Sequence, residues 1–102
     1  MSDWYTLDAD NRPVLAEDFM QGARWKHENE DRCRVARTQI GDVDVSTVFL
    51  GLDHSWNGGP PLLFETMIFG GEHDKYQERC STWAQAEAMH ETACALVRGN
   101  RQ

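Results

Sequence analysis

Residues 34–52, RVARTQIGDVDVSTVFLGL, contain two runs rich in β-branched and apolar side chains on either side of Gly41 and Asp42. A two-residue link that contains glycine is typical of the tight turn between antiparallel strands. The stretch therefore predicts a β-hairpin with strands over residues 34–40 and 43–52.

The second strand of this hairpin is apolar on both faces in its second half. Because side chains alternate along a strand, Thr47 and Phe49 share one face while Val48 and Leu50 share the other. A strand with apolar side chains on both sides is typical of the interior of a sheet. The pattern predicts that this strand is central.

The chain outside the hairpin adds further elements. Leu15, Phe19 and Ala23 recur at close to helical spacing and predict a helix. A cluster of glycine and proline after the hairpin predicts a long loop. In chain order we expect a short edge strand with a turn in residues 4–14, a helix over 15–27, a charged loop over 27–32, a loop over 53–61, a strand over 62–69 and a short strand over 76–80.

The last predicted element is an amphipathic helix that begins after Ser81 or Thr82. Gln85 stands three residues beyond Thr82, as in a capping box, and Gly99 supplies the stop. Its apolar stripe has spacings of 3, 4, 3 and 4 residues and comprises Trp83, Ala86, His90, Ala93 and Val97.

These elements together predict a single α+β domain over residues 1–102. We expect a central antiparallel sheet of about four strands, in β-α-β-β-β-β-α order, with the helices packed mainly on one face. Hydrophobic residues make up 40% of the chain and charged residues 26%, which suits one modest core.

The three cysteines, Cys33, Cys80 and Cys94, lie far apart and in no metal-ligand spacing. Their odd number suits a reducing compartment, so we expect three reduced thiols that act as small core residues. The sequence predicts no metal and no cofactor.

The net charge of −7 is uneven, since residues 1–31 hold eight acids against three bases. An acidic chain is repelled by phosphate, so direct binding to nucleic acid or to an anionic membrane is disfavoured and a basic protein is the expected partner.

No apolar run approaches the roughly 20 residues that cross a bilayer, and the first residues lack signal-peptide features. We therefore expect a cytoplasmic protein.

Three stretches carry a resemblance to a known family: residues 46–54 (STVFLGLDH), 58–71 (GGPPLLFETMIFGG) and 78–83 (ERCSTW). The chain resembles, over most of its length, a family of short proteins encoded by bacteriophages and prophages. That family has no established activity. The resemblance implies a setting in the bacterial host cytoplasm and an accessory role for the phage, without supplying catalytic residues.

The sequence offers one cluster for acid–base chemistry. Asp53 and His54 end the hairpin, and Glu65 lies on the returning strand. A carboxylate beside an imidazole fixes its tautomer and raises its basicity. Asp53 and His54 equally fit a structural role, in which they hold the turn through hydrogen bonds to the backbone.

Glu65 and His90 each have a structural and a functional interpretation. In the structural interpretation, Glu65 forms a cross-strand ion pair with Arg34 or Arg37, or lies on a partly solvated face; in the functional one, it is a catalytic or ligand-binding acid. His90, in the middle of the helix stripe, is a packed core residue or a site residue.

Trp56 stands in the middle of the 53–61 loop, whose nine residues exceed the usual length of a hairpin connection. The indole is tucked over the sheet edge or presented as a contact residue, since tryptophan is enriched at interface anchors. We predict a recognition surface made of Asp53, His54, Trp56 and Asn57.

Two functions from different classes follow from these candidates. The first is a non-enzymatic accessory protein that binds a host or defence protein through the 53–61 loop and the adjoining sheet edge. The second is a small-molecule-binding protein or hydrolase with a pocket of His54, Glu65 and His90 between the sheet and the last helix. Convergence of these three side chains in an open cleft would favour the second. Association into a homodimer stays open in either case.

Overall fold

The computed structural model of the chain describes residues 3–56 and 58–99. In chain order its elements are β1 (Tyr5–Leu7), β2 (Pro13–Leu15), α1 (Phe19–Glu28), α2 (Glu30–Cys33), β3 (Arg34–Ile40), β4 (Val43–Phe49), β5 (Phe64–Phe69), β6 (Gln77–Cys80) and α3 (Trp83–Val97). The main sheet has four antiparallel strands in the order β3-β4-β5-β6, while β1 and β2 form a small two-stranded sheet.

The predicted α+β fold with a four-stranded antiparallel sheet is confirmed. The hairpin of β3 and β4 turns at Gly41, whose φ of 60° is a left-handed conformation that glycine adopts without strain. β4 lies between β3 and β5, as its apolar residues on both faces predict. Each strand of the main sheet pairs with the next one along the chain, so the sheet is a meander.

Two elements and one helix start differ from the expectation. Residues 13–15 form β2, which pairs with β1 across a turn where the Asp8 carboxylate accepts two backbone N–H groups. α1 begins later than predicted, because the carboxylate of Asp18 accepts the N–H of Gln21 at 2.8 Å and caps the helix. Residues 30–33 form the short helix α2 in place of the expected charged loop.

Helix α3 covers one face of the main sheet, which we call the inner face. The side chains at the centre of the inner face come from β4 and β5 and are all buried: Val45, Thr47, Phe49, Phe64, Thr66 and Ile68. Ala86 of α3 packs into a cluster around Phe49 and Phe64, and Ala93 packs into a second cluster around Val45 and Ile68. The outer face carries the alternate side chains of the same strands, among them Ser46, Val48, Glu65 and Met67.

The two ends of α3 follow the sequence pattern. The Thr82 hydroxyl accepts the N–H of Gln85 at 3.1 Å, and the Gln85 side chain accepts the N–H of Thr82 at 3.1 Å, which completes the capping box. Gly99 follows the last turn with a φ of 87°. No helix in residues 3–56 and 58–99 is long and apolar enough to cross a membrane.

Cys33, Cys80 and Cys94 are free thiols. Cys33 is buried in the cluster around Phe49, and Cys94 is buried in the cluster around Val45. Cys80 is partly exposed and packs against the first cluster.

Helix α1 packs closely against Trp4 of the N-terminal segment at Gly22. This residue is buried, and a Cβ atom at its position would lie 2.5 Å from the Cβ atom of Trp4. The Trp4 ring also packs against Phe19, with ring centroids 6.5 Å apart. The close approach leaves no room for a side chain at residue 22.

We expect Gly22→Ala to destabilise the domain by about 1–3 kcal/mol, because overpacking outweighs the better helix propensity of alanine. The measurement is the free energy of unfolding in urea. Arg24→Ala, on the exposed side of the same helix, is the matched control and should change it by less than roughly 0.5 kcal/mol. A Gly22→Ala protein as stable as wild type would contradict the packing of α1 on Trp4.

Candidate functional site

The carboxylate of Asp53 holds the base of the 53–61 loop. Oδ1 accepts the N–H of Ser55 at 2.8 Å and that of Leu62 at 2.9 Å, and Oδ2 accepts the Ser55 hydroxyl at 3.0 Å. Burial opposes ionisation of this carboxyl, but the hydrogen bonds outweigh it and hold the pKa of Asp53 below its ordinary value of 3.8. Asp53 therefore closes the loop as a carboxylate.

His54 ties the same base to the sheet. Its backbone N–H donates to the carbonyl of Leu62 at 3.1 Å, and its ring Nδ1 donates to the carbonyl of Leu52 at 2.8 Å. On the other side, the N–H of Asp53 donates to the carbonyl of Asp3 at 2.9 Å. The loop base is thus fixed between the returning chain and the N-terminal segment.

Trp56 extends from this base into solvent, with 92% of its surface exposed. Gly58, two residues further on, has a φ of 81°, a conformation that lets the chain turn back towards the sheet. The indole is therefore presented and not tucked over the sheet edge. Asn57, the remaining residue of the predicted recognition surface, lies outside the described residues.

Glu65 lies on the outer face with its carboxylate almost buried. Its Oε2 accepts hydrogen bonds from Nε of Arg79 at 3.0 Å and from Nε2 of Gln77 at 2.7 Å. The residue forms a cross-strand ion pair, but its partner is on β6. Arg34 and Arg37, the partners expected from the sequence, lie on β3, which β4 separates from β5.

His90 is buried between α3 and the inner face. Its Nε2 lies 2.8 Å from the hydroxyl of Thr38 and its Nδ1 lies 2.7 Å from the hydroxyl of Thr47, which also contacts the hydroxyl of Thr66. Burial lowers the pKa of His90 below its ordinary value of 6.5. A neutral ring has one donor and one acceptor nitrogen, and hydroxyl partners satisfy both.

The structure does not bring His54, Glu65 and His90 into one pocket. Glu65 and Thr66 are consecutive on β5 and point to opposite faces, and Thr66 belongs to the hydroxyl cluster of His90. The pocket predicted between the sheet and the last helix is therefore not formed by these side chains. Within residues 3–56 and 58–99, no group of three or more His, Cys, Asp or Glu side chains is placed to hold a metal ion.

The sequence reasoning missed an exposed apolar surface beside Trp4. Leu15, Phe19 and Met20 are 58%, 65% and 60% exposed, although the spacing of the first two predicts the buried side of a helix. The signal that reveals this surface is Asp18, a strong helix-capping residue, which starts α1 late and leaves Leu15 on β2.

Comparison of the chain with protein-family models, with curated proteins and with solved structures finds no match. We therefore infer function first from the geometry of the residues described above.

We expect His90→Ala to lower the free energy of unfolding by about 2–4 kcal/mol, because it leaves a cavity and removes two buried hydrogen bonds. Chemical denaturation measures the change. Glu87→Ala, on the exposed side of the same helix, should stay within roughly 0.5 kcal/mol of wild type. Equal stability of the His90→Ala and Glu87→Ala proteins would contradict a structural role for the imidazole.

The lowered pKa of His90 also predicts a pH dependence. Below the ordinary value of 6.5, the unfolded chain binds a proton at His90 more readily than the folded chain does. The contribution of this residue is therefore full above that pH and decreases as the pH falls. As the pH falls below about 6.5, wild type should lose stability relative to His90→Gln, by at most about 1.4 kcal/mol per pH unit.

Urea denaturation at several pH values measures this difference. His73→Gln, in the turn between β5 and β6, is the control and should follow the wild-type pH profile. Parallel profiles of wild type and His90→Gln would show that burial does not control the protonation of His90.

Proposed function

We propose that this protein is a small acidic accessory protein of phage type, which binds a host or defence protein without catalysis. It does so through the 53–61 loop and the neighbouring sheet edge. The observation that carries the proposal is Trp56, a tryptophan that is 92% exposed on a loop with an anchored base.

The indole of Trp56 exposes a large apolar surface to solvent. An aromatic side chain covered by a partner buries roughly 150–250 Å². At about 25 cal/mol per Å², this corresponds to a stabilisation on the order of 4–6 kcal/mol. A contribution of that size is typical of the few residues that dominate a protein–protein interface.

The anchored loop base reduces the entropy that binding removes. The carboxylate of Asp53 and the ring of His54 fix the start of the loop, and Pro60 and Pro61 restrict φ where the chain re-enters the sheet. A preorganised segment loses less conformational freedom on association than a slack one. The fixed base therefore favours a contact role for Trp56.

The exposed apolar surface beside Trp4 continues from the loop base. Trp4 bridges Leu52 in antiparallel pairing, and its ring packs against Phe19. Leu15 and Phe19 line a shallow cleft there together with Trp4. A partner that covers the Trp56 indole and reaches this edge would bury apolar surface on both, as interface cores do.

Charge and family resemblance support the nature of the partner. A net charge of −7 favours association with a basic surface, since opposite charge accelerates encounter. The resemblance of residues 46–54, 58–71 and 78–83 to short phage proteins supports a host or defence protein in the bacterial cytoplasm as that partner. The alternative function, a hydrolase or small-molecule binder built on His54, Glu65 and His90, gains no support from their separate positions.

We expect Trp56→Ala to abolish partner binding while changing stability by less than roughly 0.5 kcal/mol, because the indole is not packed in the fold. The measurement combines thermal unfolding with affinity capture from bacterial host lysate, followed by quantitative mass spectrometry. Proteins enriched by wild type should be lost with the variant.

Phe69→Ala is the matched control for loss of an exposed aromatic side chain. Phe69 is 48% exposed at the opposite end of β5, away from the loop, so this variant should retain the captured proteins. A captured set that Trp56→Ala leaves unchanged would contradict the proposal, as would a strongly destabilised Trp56→Ala protein.

A further inference from the structure

A cleft of about 390 Å³ opens where β4 ends, between the sheet and the helices α1 and α2. This volume lies within the range of about 300–1,000 Å³ that is usual for small-molecule sites. Of residues 53–56 and 58–61, none lines the cleft. The cleft is therefore separate from the loop that carries Trp56.

A β-bulge turns Arg34 towards this cleft. The pairing of β3 with β4 runs from Arg34 opposite Val48 to Ala36 opposite Thr47, so Val35 is an extra residue. Val35 packs against the inner cluster around Phe49, and Ala36 also faces inward.

The bulge changes the direction in which Arg34 points. Without the bulge, the alternation of side chains along β3 would place Arg34 on the inner face. With it, Arg34 joins Val48 on the outer side, as bulges near binding sites often re-aim a side chain.

Lys26 supplies a second cation to the cleft from α1. Its stem passes close to Gly51, since a Cβ atom at Gly51 would lie 3.3 Å from Cδ of Lys26. In the part of the chain that the structure describes, the ion pairs within 4.0 Å are those of Arg12, Arg37 and Arg79. Lys26 and Arg34 therefore keep their charge available.

One carboxylate limits the positive charge of the cleft. Among the described residues that line the cleft, one is acidic, and this is Glu30 of α2. Two cationic side chains against one carboxylate leave a single uncompensated positive charge, with His27 counted as neutral. Acids next to Glu30, such as Asp31, line a neighbouring cleft. The balance matches a ligand with one negative charge.

Part of the cleft wall is apolar. Ala23, Val48 and Phe49 contribute to its wall. Cys33 also lines it, and burial raises the pKa of this thiol, so it is a neutral thiol at neutral pH and no nucleophile. An apolar wall next to a few charged groups is the usual composition of a ligand site.

We propose that this cleft binds a small organic carboxylate. The carboxylate pairs with the Arg34 guanidinium, whose planar fork of donors matches it in two parallel hydrogen bonds. The Lys26 ammonium adds a second positive charge, and the apolar part of the ligand lies against Ala23 and Val48, which are partly exposed.

Benzoate is the probe that tests this site, with benzamide as its neutral counterpart of the same shape. ¹⁵N-resolved NMR titration of the full chain should show millimolar binding of benzoate, as a fragment of this size allows. Shifts should concentrate in residues 23–34 and 48–49, and benzamide should bind at least about tenfold more weakly. Equal affinity for the two probes, or shifts outside the cleft, would overturn the proposal.

Charge variants separate recognition from structure. Arg34→Gln should weaken benzoate binding about tenfold, and Lys26→Gln should weaken it also, which covers the case that Arg34→Gln fails to fold. Glu30→Gln should strengthen it roughly threefold, a gain that a merely structural role would not produce. Arg37→Gln, on the same face of β3, should leave it unchanged, as should Trp56→Ala. An Arg37→Gln effect as large as that of Arg34→Gln would overturn the site.

Discussion

The imidazole of His90 joins the last helix to the sheet and fixes how the two fit together. Its two nitrogens meet the hydroxyls of Thr38 and Thr47, and the hydroxyl of Thr66 extends the cluster, so one side chain of α3 is linked to three neighbouring strands. A buried polar group without a partner costs about 1–3 kcal/mol. No buried side-chain nitrogen or oxygen lacks a partner among the described residues. Because a one-residue slip of β4 or β5 would turn the threonine of that strand to the outer face, the cluster stabilises one register of the sheet.

This arrangement also determines which polar groups the fold encloses. On the inner face, which α3 covers, His90, Thr47 and Thr66 are buried and hydrogen-bonded to one another, with Thr38 completing the cluster. The two surfaces that we propose for recognition lie at the end of the sheet where β4 finishes. There the 53–61 loop presents Trp56, and α1 and α2 leave the cleft that contains Arg34 and Lys26. A rigid sheet with variable segments at one end is a common way to position binding residues.

The sequence predicts well those features that neighbouring residues determine. Gly41 and the alternation in residues 34–52 give the hairpin and its central strand, and Thr82 with Gln85 gives the start of α3. Features that depend on strand order or on side-chain direction are not local. The partner of Glu65 is Arg79 because β6 follows β5, whereas β3 lies one strand too far away. The exposure of Trp56 and the bulge at residue 35 likewise follow from the assembled fold and have no local sequence signal.

The loop that carries Trp56 needs its anchor because nine residues with two glycines would otherwise sample many conformations. Asp53 supplies this anchor as a charged acceptor of three hydrogen bonds. Its pKa is lowered in the folded state, so the stabilisation is fully present above the ordinary value of 3.8 and is lost as the pH falls through the folded value. Above that range the carboxylate stays ionised. A charge that holds the loop from its base therefore leaves the indole at its middle available to a partner at neutral pH.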